Sequence, residues 1–273
     1  NQYIENKHLK KSKIINFKNK SEFNTYFNFT KKKNILIMPN IISDNSFSTE
    51  WSLFDTPLDW FIETLHRIKK IKNVNWFIKP HPSEKAYNAN LNIQRVFDSI
   101  VKKKEKNILI FKEDFIVKDI YKFTDCVLTA YGSAGYQYCS LGIPVITTAD
   151  APYSNFSFTH EPKNKVEYFN LLKNLNKIKK PSKNKIYRAK LYWYTHKKII
   201  RSKHNLVPLF DSYKNYDQTK FWELADNLNI IENKKNNEFS KYFHIQIKNQ
   251  NRHLLNTSTI DYNKFDNLKF NDT

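Results

Sequence analysis

The stretch Thr124–Thr148 has the sequence TDCVLTAYGSAGYQYCSLGIPVITT, and its pattern indicates the fold class of the chain. Two short apolar runs, Cys126–Thr129 and Pro144–Thr148, flank a segment that can form one helix, Ser133–Leu141. Short apolar runs that alternate with helices are typical of buried strands in a parallel sheet covered on both faces. The stretch therefore predicts two parallel strands of an α/β domain, joined by a crossover helix.

The same alternation extends on both sides of this stretch, and it predicts further strands and helices. The additional predicted strands are Asn34–Met38, Val74–Ile78 and Asn107–Phe111. The predicted helices are one that begins at Pro57, then Ile93–Val101, Ile116–Phe123, Val166–Ile178 and Lys185–Ser202. The predicted fold class is α/β: a Rossmann-like parallel sheet with helices on both faces, followed by C-terminal helices.

Composition divides the chain into four predicted segments. Residues 1–30 are polar and rich in Lys and Asn, so we interpret them as a linker or as the remnant of a missing N-terminal domain. The other segments are a Rossmann-like nucleotide-sugar donor domain, C-terminal helices and a polar tail, at residues 31–180, 181–231 and 232–273. Because the chain starts at Asn1 and its only methionine is Met38, we expect a fragment or an excised domain.

The formal net charge of +20 comes from lysines that are spread along the chain. A spread of this kind favours a solvated surface and a biased codon composition over a nucleic-acid partner, and we expect no nucleic acid. Attraction to an anionic membrane or to an anionic substrate remains an alternative.

Two further features bear on location. Cys126 and Cys139, the only cysteines, lie in apolar surroundings without metal-type spacing, which favours reduced, buried thiols in a cytoplasmic protein. No apolar run in the sequence has the length that a bilayer span needs. We expect a cytoplasmic protein, with peripheral contact to the inner membrane as the alternative.

The protein has three glycines, Gly132, Gly135 and Gly142, and all three lie in the stretch quoted above. The first two flank Ser133 and Ala134 where a predicted strand passes into a helix, and the N-terminus of a helix binds phosphate through its unpaired N–H groups. A seryl hydroxyl and a small alanine would suit a phosphate at this turn. The structural alternative is a helix start with Ser133 as N-cap and glycines for tight packing. The pattern is neither GxGxxG nor a P-loop, which disfavours a dehydrogenase or an ATPase.

A histidine between two prolines follows the second predicted strand, in the segment Lys79-Pro80-His81-Pro82. The prolines restrict the backbone around His81, and an imidazole held in this way can donate a hydrogen bond to a phosphate oxygen. Because parallel strands end at the same edge of a sheet, His81 is predicted to lie on the edge that holds the glycine turn. Lys79 and Glu84 are candidates for phosphate and hydroxyl contacts.

Three more loops follow predicted strands and are predicted to face the same edge. Lys112 and Glu113, after the third strand, are candidates to border a nucleobase. Residues 40–46 follow the first strand and are candidates for the acceptor side, and Asp150 follows the fifth strand. A solvated loop is the alternative for each. The histidines outside the Lys79–Pro82 segment show no metal-ligand spacing, so no metal site is predicted.

The run Trp76–Glu84, followed by Thr124–Val145, resembles the C-terminal half of GT-B glycosyltransferases. Within them it resembles most closely the capsule-polysaccharide synthesis family of bacterial Kdo transferases. The CDP-glycerol glycerophosphotransferases and the bacterial sialyltransferases are more distant look-alikes. The resemblance implies a two-domain enzyme that uses a cytidine-nucleotide donor and requires neither a metal nor another cofactor.

The resemblance also implies roles for individual residues. His81 and the turn Gly132–Ala134 would hold the donor phosphate. Apart from the resemblance, Gln137 and Glu84 are candidates for contact with the donor sugar or ribose, because their side chains can accept hydrogen bonds from hydroxyl groups. Such families often carry Gly-Phe-Glu-Ala where this chain has Gly135–Tyr138, so the neutral Gln137 replaces a carboxylate. The general base of GT-B enzymes comes from the N-terminal half, so no residue of this chain is assigned as the base.

The leading hypothesis is transfer of a sugar from a nucleotide donor, such as CMP-Kdo, to a bacterial surface polysaccharide or glycolipid. Three alternatives remain open. They are a sugar-nucleotide epimerase of the same architecture, a CDP-glycerol-type glycerophosphotransferase, and a non-catalytic module that binds anions through its basic surface.

Overall fold

The computed structural model describes residues 13–42, 52–82, 84, 91–101, 105–111 and 115–199, together with residues 223, 226 and 248. The chain divides into two units, residues 1–190 and 191–273, and the sheet belongs to the first. The strands are β1 (Lys13–Ile15), β2 (Lys33–Ile37), β3 (Val74–Ile78), β4 (Ile108–Ile110), β5 (Phe115–Val117), β6 (Cys126–Thr129) and β7 (Val145–Thr147). The α-helices are α1 (Lys20–Tyr26), α2 (Pro57–Ile68), α3 (Ile93–Ile100), α4 (Ala134–Ser140), α5 (Lys165–Lys173) and α6 (Lys183–Tyr194).

The main sheet has five parallel strands in the order β4-β3-β2-β6-β7. The chain starts this sheet at β2, builds outward through β3 and β4, and then returns to the other side of β2 with β6 and β7. The point where the strand order reverses therefore lies between β2 and β6, where Ile35 pairs with Cys126. This arrangement confirms the predicted α/β class with a parallel sheet.

One face of the sheet packs against α2, α3 and α5. Alternate strand residues such as Ile35, Trp76 and Leu128 point to this face and are fully buried. The helix α2 begins as predicted at Pro57, because Thr56 accepts a hydrogen bond from the Asp59 backbone N–H (3.1 Å) and proline suits the first helical position.

The other face of the sheet is covered by a cluster of aromatic rings and by α4. Phe23 of α1 packs against Phe77 of β3 with ring centroids 5.6 Å apart, and stacks on Phe123 at 5.0 Å. Phe17 contacts both Phe23 and Phe123 edge-on. Residues 13–30, interpreted from composition as linker or remnant, thus contain a strand that pairs with β5 and a helix that packs on the main sheet. Their phenylalanines supply the apolar surface that the Lys and Asn content obscures.

The segment 116–123 also differs from the predicted helix. Phe115–Val117 is a strand that pairs in parallel with Lys13–Ile15, and only Ile120–Phe123 forms a short 3₁₀ helix. Asp119, between them, has a left-handed backbone (φ 53°), which separates the two elements. The strand depends on a partner about a hundred residues away, so local periodicity could not indicate it.

The predicted helices after β7 are present. Val166–Ile178 is observed as α5 followed by a 3₁₀ turn, Leu175–Lys177. The last predicted helix starts with α6, and its end at Ser202 lies outside the described residues. In the second unit, Thr195–Ile199 forms a π-helical turn, and the Tyr192 and His196 rings stack with centroids 6.1 Å apart. Among the described residues, no helix is both long and apolar enough for a bilayer crossing.

Candidate functional site at the carboxyl edge of the sheet

The loops that follow β2, β3, β6 and β7 begin at the same edge of the sheet, where backbone hydrogen bonds connect them. The bonds run from Met38 N to Leu128 O (2.9 Å), from Lys79 N to Ile37 O (2.9 Å) and from Thr148 N to Ala130 O (3.1 Å). In open α/β sheets, ligands bind outside the carboxyl ends of the strands, at the point where the strand order reverses. Of the predicted site residues, those described in the loops after β2, β3, β6 and β7 therefore lie at this edge, whereas residues 43–46 lie outside the described part of the chain.

At the reversal point, Asn40 from the loop after β2 faces Gly132 from the loop after β6. A Cβ built on Gly132 would lie 4.0 Å from Asn40 Nδ2 and only 2.8 Å from Thr129 Oγ1. The side-chain oxygen of Asn40 is buried and accepts no hydrogen bond. A buried oxygen without a donor is unfavourable, and at a ligand site the ligand commonly supplies the missing donor. Asn40 is thus a candidate for contact with a ligand at the reversal point. From the sequence it was predicted only to lie on the acceptor side.

Ser133 occupies the N-cap position of α4, but its side chain does not cap the helix. Its backbone is already helical (φ −56°, ψ −19°), its hydroxyl makes no capping hydrogen bond, and its side chain is exposed. The structural alternative, a helix start with tightly packed glycines, is therefore present without a serine cap. Ser133 leaves an exposed hydroxyl beside buried Ala134, and its contact with phosphate stays a prediction.

The three glycines have three different functions. Gly132 lets the chain lie close to Thr129 and Asn40. Gly135 packs against the ring of buried Tyr153, whose hydroxyl donates to the Gly132 carbonyl oxygen (2.6 Å). Gly142 ends α4 with a left-handed backbone (φ 81°), which lets the next residue, Ile143, bond back to Tyr138 O (3.1 Å). Of the glycine cluster, only Gly132 borders the reversal point directly.

His81 and Lys79 belong to the loop after β3, the strand on the other side of β2 from β6. Two strand spacings of roughly 4.8 Å each place the ends of β3 and β6 about 10 Å apart, with the Asn40 loop between them. His81 is exposed, Lys79 is half-buried, and buried Pro80 fixes the backbone between them. A span of this size suits a diphosphate or a phosphosugar group that bridges the two loops.

Glu84 has a different environment from the one predicted. Its side chain is only 6% exposed, and its Oε1 accepts a hydrogen bond from Ile93 N at the start of α3 (2.9 Å). Its own backbone N–H donates to His81 O (3.0 Å). The carboxylate therefore anchors the His81 loop to α3 through Oε1, while Oε2 is buried without a hydrogen-bond partner. The contact of Glu84 with the sugar or ribose stays a prediction.

Burial raises the pKa of the Glu84 carboxyl, and the hydrogen bond from Ile93 lowers it by less. A raised folded-state pKa gives a stabilising contribution that is present below the unfolded pKa and lost as pH rises through the folded pKa. The glutamine side chain of Glu84→Gln is neutral at every pH. We therefore expect the melting temperature of this variant to increase relative to that of the wild type as pH rises from about 4 to 7. Thermal denaturation of both proteins across this range tests the expectation, and parallel profiles would contradict it.

The remaining predicted site residues are Gln137, Asp150, Lys112 and Glu113. Gln137 is half-buried one helical turn after Ser133, on the same face of α4. Asp150 is half-buried at the same sheet edge, just beyond β7. Lys112 and Glu113 lie outside the described residues.

Thr148, directly after β7, is a further candidate for ligand contact that the sequence did not indicate. Its hydroxyl oxygen is buried and has no hydrogen-bond partner. Its backbone N–H is bonded to Ala130 O, which places it beside the loop after β6. A polar residue directly after a buried strand was the available signal, but only the strand order shows that β7 neighbours β6.

Both cysteines are buried free thiols, as predicted. Burial raises the pKa of Cys126 far above its usual range and raises that of Cys139 to about 11. Both side chains are therefore protonated at neutral pH, and neither has the thiolate character of a cysteine nucleophile.

Comparison with known proteins gives no match to a protein-family model and none to a curated sequence. Among solved structures, the chain is similar to Thermosulfurimonas dismutans KpsC, a β-Kdo 2,4 transferase, with 15% identity and a TM-score of 0.40, over 59% of this chain and 45% of that one. It is also similar to the wall teichoic acid polymerase TagF, with 14% identity and a TM-score of 0.38, over 86% and 50%. A third similar structure is TarM, with 13% identity and a TM-score of 0.34, over 73% and 35%. The chain thus spans half or less of each of these structures.

Proposed function

We propose that the carboxyl edge of the sheet binds the phosphate of a nucleotide-sugar donor, and that the chain is the donor-binding half of a metal-independent GT-B glycosyltransferase. The observation that carries the proposal is the pairing of Asn40 with Gly132 at the reversal point of a parallel sheet. There Asn40 Oδ1 is buried without a hydrogen-bond partner, Gly132 lies opposite the Asn40 side chain, and the exposed Ser133 follows at the start of α4. Phosphate-bearing ligands bind at such points in α/β folds.

The residues around this point would bind the donor in complementary ways. The N–H groups at the start of α4, with the Ser133 hydroxyl, would donate to the phosphate oxygens. His81 and Lys79 would approach the phosphate from the opposite loop with hydrogen-bond donors and positive charge. Asn40 Oδ1 accepts hydrogen bonds, so its partner would be a ribose or sugar hydroxyl rather than the phosphate. Gln137, one turn along α4, would contact another hydroxyl of the donor.

In glycosyl transfer, the bond between the anomeric carbon and the donor phosphate oxygen breaks, and the electron pair remains on that oxygen. Negative charge on the leaving nucleotide therefore grows toward the transition state. Fixed N–H donors and cationic side chains at this position stabilise that charge without a metal, and such electrostatic stabilisation is commonly the largest catalytic contribution. We assign no general base, because none of the residues at this edge has that role in the resemblance.

The identity of the donor and the acceptor follows from the sequence resemblance. On that basis the donor would be a CMP-linked acidic sugar such as CMP-Kdo, and the acceptor a bacterial capsular polysaccharide or glycolipid. The place of action would be the cytoplasm, with peripheral contact between the basic surface and the anionic inner membrane. The residues of the predicted nucleobase loop, Lys112 and Glu113, keep that role as a proposal.

Nucleotide affinity tests the proposed donor site. We expect the chain to bind CMP or CDP more tightly than UDP, and we expect His81→Ala to weaken cytidine-nucleotide binding by about 10-fold or more. A charge-assisted hydrogen bond to phosphate contributes about 1.5–3 kcal/mol. Isothermal titration calorimetry measures both effects, with His66→Ala as the control because His66 is exposed on α2.

Each outcome of this titration has a defined meaning. Absence of binding by all three nucleotides would contradict the proposed function, as would equal affinities of His81→Ala and His66→Ala. Selective binding of UDP would contradict the cytidine donor and would favour the epimerase alternative.

A further inference from the structure

A basic groove with a volume of about 420 Å³ lies away from the candidate donor site. It is lined by His160, by the segment Lys177–Ser182 and by Lys185. None of these residues was singled out as a site residue from the sequence. The groove belongs entirely to the first unit of the chain.

The groove lies toward the amino-terminal edge of the sheet, opposite the edge that holds Asn40 and Gly132. Lys33, the first residue of β2, donates from its Nζ to Ile178 O (2.6 Å), so the lysine-rich segment passes beside the amino ends of the strands. The helix α4 starts at the carboxyl edge and runs back, and Gly142 at its far end faces Ile186 of α6. A ligand in this groove would therefore not contact the donor site.

Within the part of the chain that the structure describes, no lysine of the groove forms an ion pair with a carboxylate. Lys177, Lys179 and Lys180 are exposed and Lys185 is half-buried, while residues 168–199 include no Asp or Glu. Glu161 is the acidic residue nearest to His160 in the sequence. Its two carboxylate oxygens are already engaged, one with the Thr159 hydroxyl (2.7 Å) and the other with Asn155 N (3.2 Å).

The start of a helix and a histidine also line the groove. Ser182 precedes the twelve-residue helix α6 and accepts hydrogen bonds from Lys185 N (3.4 Å) and Ile186 N (3.0 Å), so the positive end of the helix borders the groove. His160 is held beside β7, where its N–H bonds to Val145 O (2.8 Å). Its burial and the charge of Lys185 lower the pKa of its imidazole, which at neutral pH is an uncharged ring with one N–H donor.

We propose that this groove is a second anion site, which binds a phosphate group carried either by a soluble phosphate ester or by a phospholipid headgroup. Several lysine ammonium groups, the N-terminus of a helix and a histidine line one concave surface, and this combination recognises phosphate rather than a neutral sugar. The concave form distinguishes the groove from the lysines that are scattered over the rest of the surface. The proposal is independent of the donor site, because the two lie at opposite edges of the sheet.

The test uses two phosphate sources and one charge-matched control. The variant is Lys179→Gln/Lys180→Gln/Lys185→Gln, and the control is Lys18→Gln/Lys31→Gln/Lys118→Gln, which removes the same charge from exposed positions elsewhere. Glycerol 3-phosphate is titrated while the His160 imidazole resonances are followed by NMR. Cosedimentation is measured with phosphatidylglycerol-containing vesicles and with pure phosphatidylcholine vesicles.

We expect the groove variant to lose about 10-fold or more in affinity for at least one phosphate source, and the control to lose less than about 3-fold. A shift of the His160 resonances with glycerol 3-phosphate identifies a soluble ester as ligand, and a groove-dependent preference for phosphatidylglycerol vesicles identifies a headgroup. Binding of neither source, or equal losses in the variant and the control, would overturn the proposal. Cytidine-nucleotide affinity should be unchanged in the groove variant, which separates failure of this proposal from failure of the donor site.

Discussion

Replacement of Gly135 with alanine is expected to lower the free energy of unfolding by about 3 kcal/mol or more. A Cβ at this position would lie 2.5 Å from Cε2 of Tyr153, and closer still to its Cζ and hydroxyl oxygen. Tyr153 is 1% exposed and stacks against Phe158, so the ring cannot move without loss of core packing. Chemical denaturation of Gly135→Ala and of the wild type measures the difference.

The clash with Tyr153 can be separated from other effects of alanine by a double-mutant cycle. In a Tyr153→Ala background the added methyl group meets open space, and alanine in a helix is favoured over glycine by about 0.5–1 kcal/mol. We therefore expect Gly135→Ala to be neutral or stabilising in that background. An equal loss of stability in both backgrounds would contradict the proposed cause.

The same substitution connects stability with the candidate site. Tyr153 donates its hydroxyl hydrogen bond to Gly132 O (2.6 Å), so displacement of the ring removes one of the contacts that hold the turn facing Asn40. Gly135 thus supports the site through packing, which is the structural alternative that the sequence offers for these glycines. A glycine that is required for a close approach of a side chain cannot be distinguished, by sequence alone, from one required for a ligand.

The five strands of the main sheet were predictable because each is a short apolar run flanked by polar or turn residues. Their order was not, because order depends on which strands pair across long stretches of chain. The consequence is clearest at Asn40, which follows the first strand in sequence but lies at the centre of the sheet edge, between the His81 loop and Gly132. The prediction that His81 and the glycine turn share one edge needed only parallel strands, and the structure places both there.

Two features were missed for the same reason, namely that their partners are distant in sequence. Glu84 looks like a polar loop residue, but its carboxylate is buried against the first amide of α3. Residues 13–30 look like a polar linker, but Phe17 and Phe23 complete a ring cluster with residues of the sheet and of the 3₁₀ turn at Phe123. Burial of these groups depends on surfaces that form only when the sheet is assembled.

A buried network of asparagine side chains, centred on Asn34 of the central strand, connects residues 13–30 to the sheet. Asn34 is fully buried and makes three side-chain hydrogen bonds. It donates to Asn24 Oδ1 (2.8 Å) and to Phe123 O (3.0 Å), and its Oδ1 accepts from Asn75 Nδ2 (2.8 Å). Asn24 belongs to α1 and Asn75 to β3, so one side chain joins three elements and the turn at Phe123.

Asn34→Ala is expected to destabilise the domain by about 3–5 kcal/mol, because it leaves the Asn24 and Phe123 oxygens without their donor in a buried place. Asn34→Leu keeps most of the side-chain volume, so it separates the cost of lost hydrogen bonds from that of a cavity. We expect the leucine variant to remain destabilised by at least about 2 kcal/mol, since an apolar group leaves the same buried oxygens unsatisfied. Urea denaturation measures both, with exposed Asn176→Ala as the control. Wild-type stability of Asn34→Leu would show that the network fills space without fixing α1 on the sheet.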